Sequence, residues 1–243
     1  MLELKKGVDI LSAVGGIDTS EDARKLFAEQ LDTESRERLS KIQNEEALMK
    51  VANAIAMCQP DRVLIHTGSA ADEEFVRKHS LEKGEEAPLA LDGHTIHYDL
   101  PQDQARLVNQ TFYIVNEDEK ISSLAKREPR SESHAYIQKH MTGIMRGKVM
   151  FVGFYSRGPV GAKAAIPAIE ISSSTYVLHS AALLYRNCFA DFDAEVARRG
   201  EFFTNVHSEG PNRPEDVPNA RIYMDRSWQT TYSMFCTYAG NTL

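Results

Sequence analysis

Strands interleaved with helices predict an α/β domain, a mixed β-sheet flanked by helices, behind a helical N-terminal segment. Three observations carry this expectation. The first sixty residues show helical periodicity, clearest where Leu48, Val51, Ala52, Ile55 and Ala56 form an i, i+3, i+4, i+7, i+8 stripe. After Pro60, short β-branched and aromatic runs alternate with helical stretches. No repeat, low-complexity tract or marked linker divides the 243 residues. Residues 1–243 are therefore expected to form one domain, with 1–60 its helical segment and 61–243 its α/β core.

Each element has a local reason. Thr19 or Ser20 can cap a helix that carries Leu26, Phe27 and Leu31 on one face. A short helix from Thr33 uses Leu39 and Ile42. The striped helix starts at Asn44, has Glu45 and Glu46 where the helix dipole favours acids, and ends at Pro60. Arg62-Val63-Leu64-Ile65-His66 reads as a buried strand closed by Gly68-Ser69, and the acidic stretch from Ala70 to Lys83 reads as a helix. Thr111-Phe112-Tyr113-Ile114-Val115 is a second strand. The polar, Pro-containing stretch from Lys120 to Ser133 is expected to be a mobile loop. A helix over about 131–145 leads into a strand over 148–154, and Ala168-Ile169-Glu170-Ile171 is another strand. Ser174 caps a helix with Val177, Ala181 and Leu184. Residues 210–220 form a loop, and two strands, 221–224 and 229–235, join around Asp225-Arg226-Ser227.

Composition excludes several classes. With 42% hydrophobic and 26% charged residues the chain is an ordinary globular protein. A net charge of -7 argues against a nucleic-acid partner, although a local cluster of Arg can still receive an anion. Cys58, Cys188 and Cys236 lie far apart, which is neither a disulfide framework nor a CxxC metal site and suits a reducing compartment. The N-terminus lacks the apolar core of a signal peptide, and no apolar run reaches membrane-spanning length. The expected location is the cytoplasm, with no membrane partner.

Candidate chemistry is sparse when read residue by residue. His94 and His97, flanked by Asp92 and Asp99, have the residue types of a metal site but no completed ligand set, and they read as structural. His134 and His140 share a helix but not a face. His207-Ser208 reads as a hydrogen-bonded loop rather than a nucleophile and its base. The segment from Gly153 to Gly161 carries Ser156 and Arg157 into a Gly-Pro turn at a strand end, a place where ligands often sit, but read alone it is ordinary turn punctuation. No GxSxG, no GxGxxG after a strand and no GxxxxGK[ST] occurs, so these residues carry no nucleotide-binding loop.

Five short motifs in order then resemble one family. They are Cys58-Gln59-Pro60-Asp61 followed by a strand and Gly68-Ser69; the segment from Asp99 through Pro101 and Asp103 to Arg106; Met145-Arg146-Gly147-Lys148-Val149-Met150-Phe151-Val152 through Gly158-Pro159-Val160-Gly161 to Ile169-Glu170-Ile171; Val206-His207-Ser208 with Gly210; and the terminal Tyr238-Ala239-Gly240-Asn241-Thr242. Together they resemble the GTP-dependent phosphoenolpyruvate carboxykinase family, whose Tyr-Gly-Gly-Asn-Ser/Thr loop is similar to the last of them. Ala239 replaces the first Gly of that loop, and Arg157 stands where the family usually has Met.

The resemblance implies roles for particular residues. Arg106 would grip the carboxylates of oxaloacetate and phosphoenolpyruvate, since a planar guanidinium binds a carboxylate bidentately. Tyr238 would present its positive ring edge to the substrate carboxylate. Gly240 would bring its backbone N–H to the substrate, and Asn241 would shape the loop. Arg106 and Tyr238 are thus the expected catalytic pair. The resemblance further implies an N-terminal, substrate-binding part that stops before the family's metal and phosphate lysines. Its partners would be the substrate and the enzyme's own C-terminal nucleotide-binding domain. GTP and a divalent metal, manganese or magnesium, would serve the whole enzyme, with neither expected on this part. The alternative is a non-catalytic binding or interaction domain that keeps the fold without the chemistry.

Overall fold

The computed structural model describes residues 7–98, 108–117 and 119–236. Four helices open it: α1 (Ile10–Gly15), α2 (Ser20–Gln30), α3 (Thr33–Leu39) and α4 (Glu45–Cys58). The side chains of Asp9, Thr19, Asp32 and Asn44 accept a first-turn N–H in each, which satisfies donors a helix start otherwise leaves bare. Leu48, Val51, Ala52 and Ile55 of α4 are buried, as the stripe predicts. Gln59, in the left-handed region at φ 53°, ends α4 just before Pro60.

The α/β part follows as β1 (Arg62–His66), α5 (Ala70–Lys83), β2 (Ala87–Pro88), β3 (Thr95–Ile96), β4 (Thr111–Val115), β5 (Arg127–Pro129), α6 (Arg130–Met141), β6 (Val149–Arg157), β7 (Ile166–Ser172), α7 (Thr175–Leu184), β8 (Arg186–Asn187), α8 (Phe192–Arg199), β9 (Phe203–Ser208), β10 (Arg221–Asp225) and β11 (Thr230–Met234). Among the described residues nine strands make one mixed sheet in the order β1-β6-β7-β9-β11-β10-β4-β5, with β8 on β6. β2 and β3 pair separately as a small hairpin. β7, β9 and β11 run parallel to one another, while β6 and β10 run opposite to them. The last residues of β7, β9 and β11 therefore share an edge with the first residues of β1, β6, β10 and β4.

Alternation along the strands divides the apolar residues between two faces. Met150, Val152 and Phe154 of β6 and Ile169 and Ile171 of β7 join the core that includes Leu11, Leu48, Val51, Ile55 and Phe192. Phe151 and Tyr155 point the other way and pack with Val76 of α5 and Leu178 and Ala181 of α7. Buried polar contacts tie the first helices to the sheet: Lys50 Nζ lies 2.8 Å from Asp9 and 3.0 Å from Thr230 Oγ1, and Tyr232 donates to Asp9. No helix among the described residues is long and apolar enough to cross a membrane.

Four expectations need correction. The polar stretch 120–133 is not all loop: it contains β5 and the start of α6, held where Arg130 pairs with buried Asp225. The helix expected to reach residue 145 stops at Met141, because the next turn folds back to donate Gly143 N–H and Met145 N–H to the carbonyls of Met57 and Cys58 at the end of α4. The sequence reading also passed over α1, α8 and β9. His207, read as a loop residue, lies in β9, a strand inside the sheet between β7 and β11.

Candidate functional site

The polar residues collect where β7, β9 and β11 end. Strand register sets Ser172 beside His207, and His207 beside Ser233. His207 is fully buried. Its Nε2 lies 2.8 Å from the carbonyl oxygen of Cys236, which can only accept, so Nε2 carries the proton. Nδ1 is then bare and accepts from Ser172 Oγ at 2.8 Å. Ser172 Oγ itself accepts the N–H of Ser174 at 3.0 Å. Burial, with the charge of Lys148 adding to it, pushes the His207 pKa down to about 4 against the opposing pull of the Cys236 carbonyl. The ring is a neutral connector.

A second set of contacts fixes the backbone beyond β11. Ser208 shares a hydrogen bond with Ser173 at 2.8 Å. Ser208 also accepts Phe235 N–H on its carbonyl at 2.9 Å and Gly210 N–H on its hydroxyl at 3.1 Å. Phe235 (φ 57°) and Gly210 (φ 61°) are both left-handed, an uncommon state for a phenylalanine. A Cβ at position 210 would come within 2.7 Å of the Phe235 ring, so glycine is required there.

Acids and bases border this edge. Glu85 accepts Ser174 Oγ at 2.7 Å and Tyr176 N–H at 3.0 Å, placing a carboxylate at the N-terminus of α7 where the helix dipole favours it. Burial would raise the Glu86 pKa, but hydrogen bonds from Ser80, Thr95 and His179 outweigh it and hold the carboxyl below its ordinary range. Lys148 reaches Glu209 at 3.4 Å. Burial and then the charge of Glu85 push the Glu209 carboxyl up, against the pull of Lys148. The His97 ring stacks on Tyr176 with centroids 3.7 Å apart.

Arg106, Tyr238, Gly240 and Asn241 lie outside the described residues. The residues flanking those positions do not. Thr111 opens β4 opposite Ile222, Ile222 stands opposite Ser233, and Cys236 follows β11, all at the edge just described. The Gly153–Gly161 segment is not brought there. β6 runs antiparallel to β7, which carries its Gly-Pro turn to the opposite edge, with the Arg157 guanidinium 4.8 Å from the centre of the Tyr185 ring. His94 and His97 bond to backbone oxygens of Asp92 and Glu85, and no group of three or more His, Cys, Asp or Glu among the described residues could hold a metal ion. Asp99 lies outside them.

Sequence reasoning missed Glu85, Glu86, His179 and the role of His207. Glu85 and Glu86 sit in what reads as a solvated Lys-Gly-Glu-Glu loop, and nothing local shows that they dock on α7. The usable signal was the Ser172-Ser173-Ser174-Thr175 run at a strand end, where hydroxyls compete for backbone groups.

The sequence profile of the phosphoenolpyruvate carboxykinase N-terminal domain matches residues 50–243. The chain is 38% identical over 206 residues to the phosphoenolpyruvate carboxykinase (GTP) of Saccharolobus solfataricus, covering 85% of this chain and 32% of that protein. It is 35% identical over 218 residues to that of Thermococcus sibiricus, covering 88% and 35%, and 36% identical over 217 residues to that of Thermococcus kodakarensis, covering 88% and 34%. The chain spans about a third of the length of these relatives. With the family profile covering most of the chain, this protein belongs to the phosphoenolpyruvate carboxykinase N-terminal domain family.

Proposed function

We propose that this chain is the substrate-gripping part of a GTP-dependent phosphoenolpyruvate carboxykinase. The whole enzyme decarboxylates oxaloacetate and traps the enolate by phosphoryl transfer from GTP. Arg106 binds the substrate carboxylate through its guanidinium fork. Tyr238 meets it with a ring edge, Gly240 offers its N–H, and Asn241 braces the loop. Fixed carboxylates hold the substrate so that loss of CO2 and transfer occur in one geometry. Residues 1–243 act as one domain, working with a C-terminal nucleotide-binding domain in the cytoplasm. When bound, GTP would supply the phosphoryl group and a divalent metal, manganese or magnesium, would neutralise its charge.

One observation supports this reading above the others. The described residues that flank the Arg106 and Tyr238 positions, Thr111 and Cys236, belong to one polar sheet edge, their strands separated only by β10. Two strand spacings separate β4 from β11 by about 10 Å.

Turnover tests it. The longer protein containing this chain should form phosphoenolpyruvate and CO2 from oxaloacetate only with GTP and manganese or magnesium. Residues 1–243 alone should form none, since their sequence has no phosphate-cradling loop. Product from residues 1–243 alone would contradict the assignment. A longer protein that binds oxaloacetate without turning it over would favour the non-catalytic binding domain.

A further inference from the structure

We infer that residues 85–97, the β2–β3 hairpin with its flanks, form a latched flap against the polar sheet edge, with Glu86 as the latch. Such a flap governs access to that edge whatever the edge binds, which goes beyond the function proposed above.

The hairpin is attached unlike the rest of the fold. Burial of apolar side chains is the main force that fixes an element to its domain. No residue from Gly84 to Tyr98 joins an apolar cluster of the described fold. Leu89, Leu91 and Tyr98 are exposed, at 46%, 63% and 74%. β2 and β3 pair as a separate two-stranded sheet, which is marginal without packing beneath it. The segment leaves α5 at Gly84, left-handed at φ 72°. Polar and ring contacts hold it down instead. Glu86 is the one buried residue between Gly84 and Tyr98. Its carboxylate accepts Ser80 Oγ of α5 at 2.6 Å and Thr95 Oγ1 of β3 at 2.7 Å, and meets His179 Nδ1 of α7 at 3.0 Å, so it joins three elements. Glu85 meets Ser174 and Tyr176 at the start of α7, the His97 ring stacks on Tyr176, and Arg77 donates to the Gly93 carbonyl. A carboxylate out of water is tolerated only while its partners are in place. Glu86 therefore has two placements, fully partnered against α7 or free in solvent. When it leaves, Glu85 and His97 go with it, since Glu85 is its neighbour and His97 Nδ1 lies 2.6 Å from the Glu85 carbonyl. That bares Ser174 and the Tyr176 N–H. The charge of Glu85 also bears on Glu209, so the flap borders the end of β9 as well.

The test is amide hydrogen exchange on the longer protein and on its Glu86→Ala, His179→Ala and His179→Gln variants. In the natural protein, residues 85–97 should exchange at least about a hundredfold faster than β6, as a locally opening unit does. Glu86→Ala should speed exchange there by about tenfold more, and the Tyr176 amide should accelerate with it, because that N–H is held by the Glu85 carboxylate. β6 and α4 should not change. His179→Ala should give a rise of about threefold at the same places, and His179→Gln, which keeps a donor, should recover most of it. If Glu86→Ala fails to fold, His179→Ala decides. Protection of 85–97 equal to that of β6 in the natural protein would overturn the inference, as would acceleration spread equally into β6 and α4. Variants that leave 85–97 unchanged would remove Glu86 as the latch. Acceleration at 85–97 without the Tyr176 amide would show a fraying hairpin in place of a flap, and would overturn the inference too.

Discussion

Glu170 and His207 are buried on adjacent strands and hold their protons in opposite senses. Burial pushes the Glu170 carboxyl up to about 8, against the opposing charge of Arg157 and a 2.6 Å hydrogen bond from Asn205. Between about pH 4.5 and pH 8 the folded state therefore keeps a proton that the unfolded chain releases, and stability falls as pH rises through that window. His207 works the other way. Its folded pKa of about 4 lies below the ordinary 6.5, so stability falls as pH drops from about 6.5 to 4. Glu170→Gln keeps the acceptor for Asn205 and removes the ionisation. We expect it to be as stable as the natural protein at pH 4 and more stable by about 4 kcal/mol at pH 8. Denaturant unfolding at the two pH values checks this, and an equal difference at both would refute the burial argument.

At the scale of elements, the legible parts were those with a strong apolar period or a run of β-branched and aromatic residues. The α4 stripe is legible from its periodicity, and the β1 and β4 runs from their β-branched and aromatic residues. β9 was hidden for a physical reason. Its Thr204, Asn205, His207 and Ser208 are polar, held by strand pairing and, for the last three, by side-chain partners instead of an apolar contact. β5 is hidden in a charged stretch, and Arg130, which follows it, finds its partners far off in sequence, in Asp225, 95 residues away, and in Asn116 and Ser227. The start of α4 depends on a similarly remote group. Asp193 of α8 accepts the N–H of Gln43 and of Asn44, each at 2.8 Å. Asp193→Ala should cost about 1–3 kcal/mol, a melting-point drop of several degrees, without altering the far-ultraviolet spectrum of the folded state. A drop of under about half a kcal/mol would show that water replaces the carboxylate at no cost.

At the scale of the molecule, the family profile begins at residue 50, yet the residues before it are built into the same body. Asp9 accepts from both Lys50 and Tyr232, and Leu11, Phe27 and Leu39 join the main core. The candidate site was legible only through the order of its motifs. Read singly, Arg106 is a surface arginine and Gly240-Asn241 a turn, because a site formed by segments far apart in sequence leaves no local pattern in either. The architecture ends β11 and starts β4 at one edge, while Arg106 and Gly240-Asn241 themselves lie outside the described residues. The central claim, that this edge grips a carboxylate substrate, is tested most directly by steady-state kinetics of Arg106→Ala in the longer protein. Truncating one partner of a desolvated charge pair should lower kcat/KM for oxaloacetate by about a hundredfold or more, equivalent to about 3–5 kcal/mol, while the KM for GTP stays within about twofold. Equal losses for oxaloacetate and GTP, or no loss for either, would contradict it.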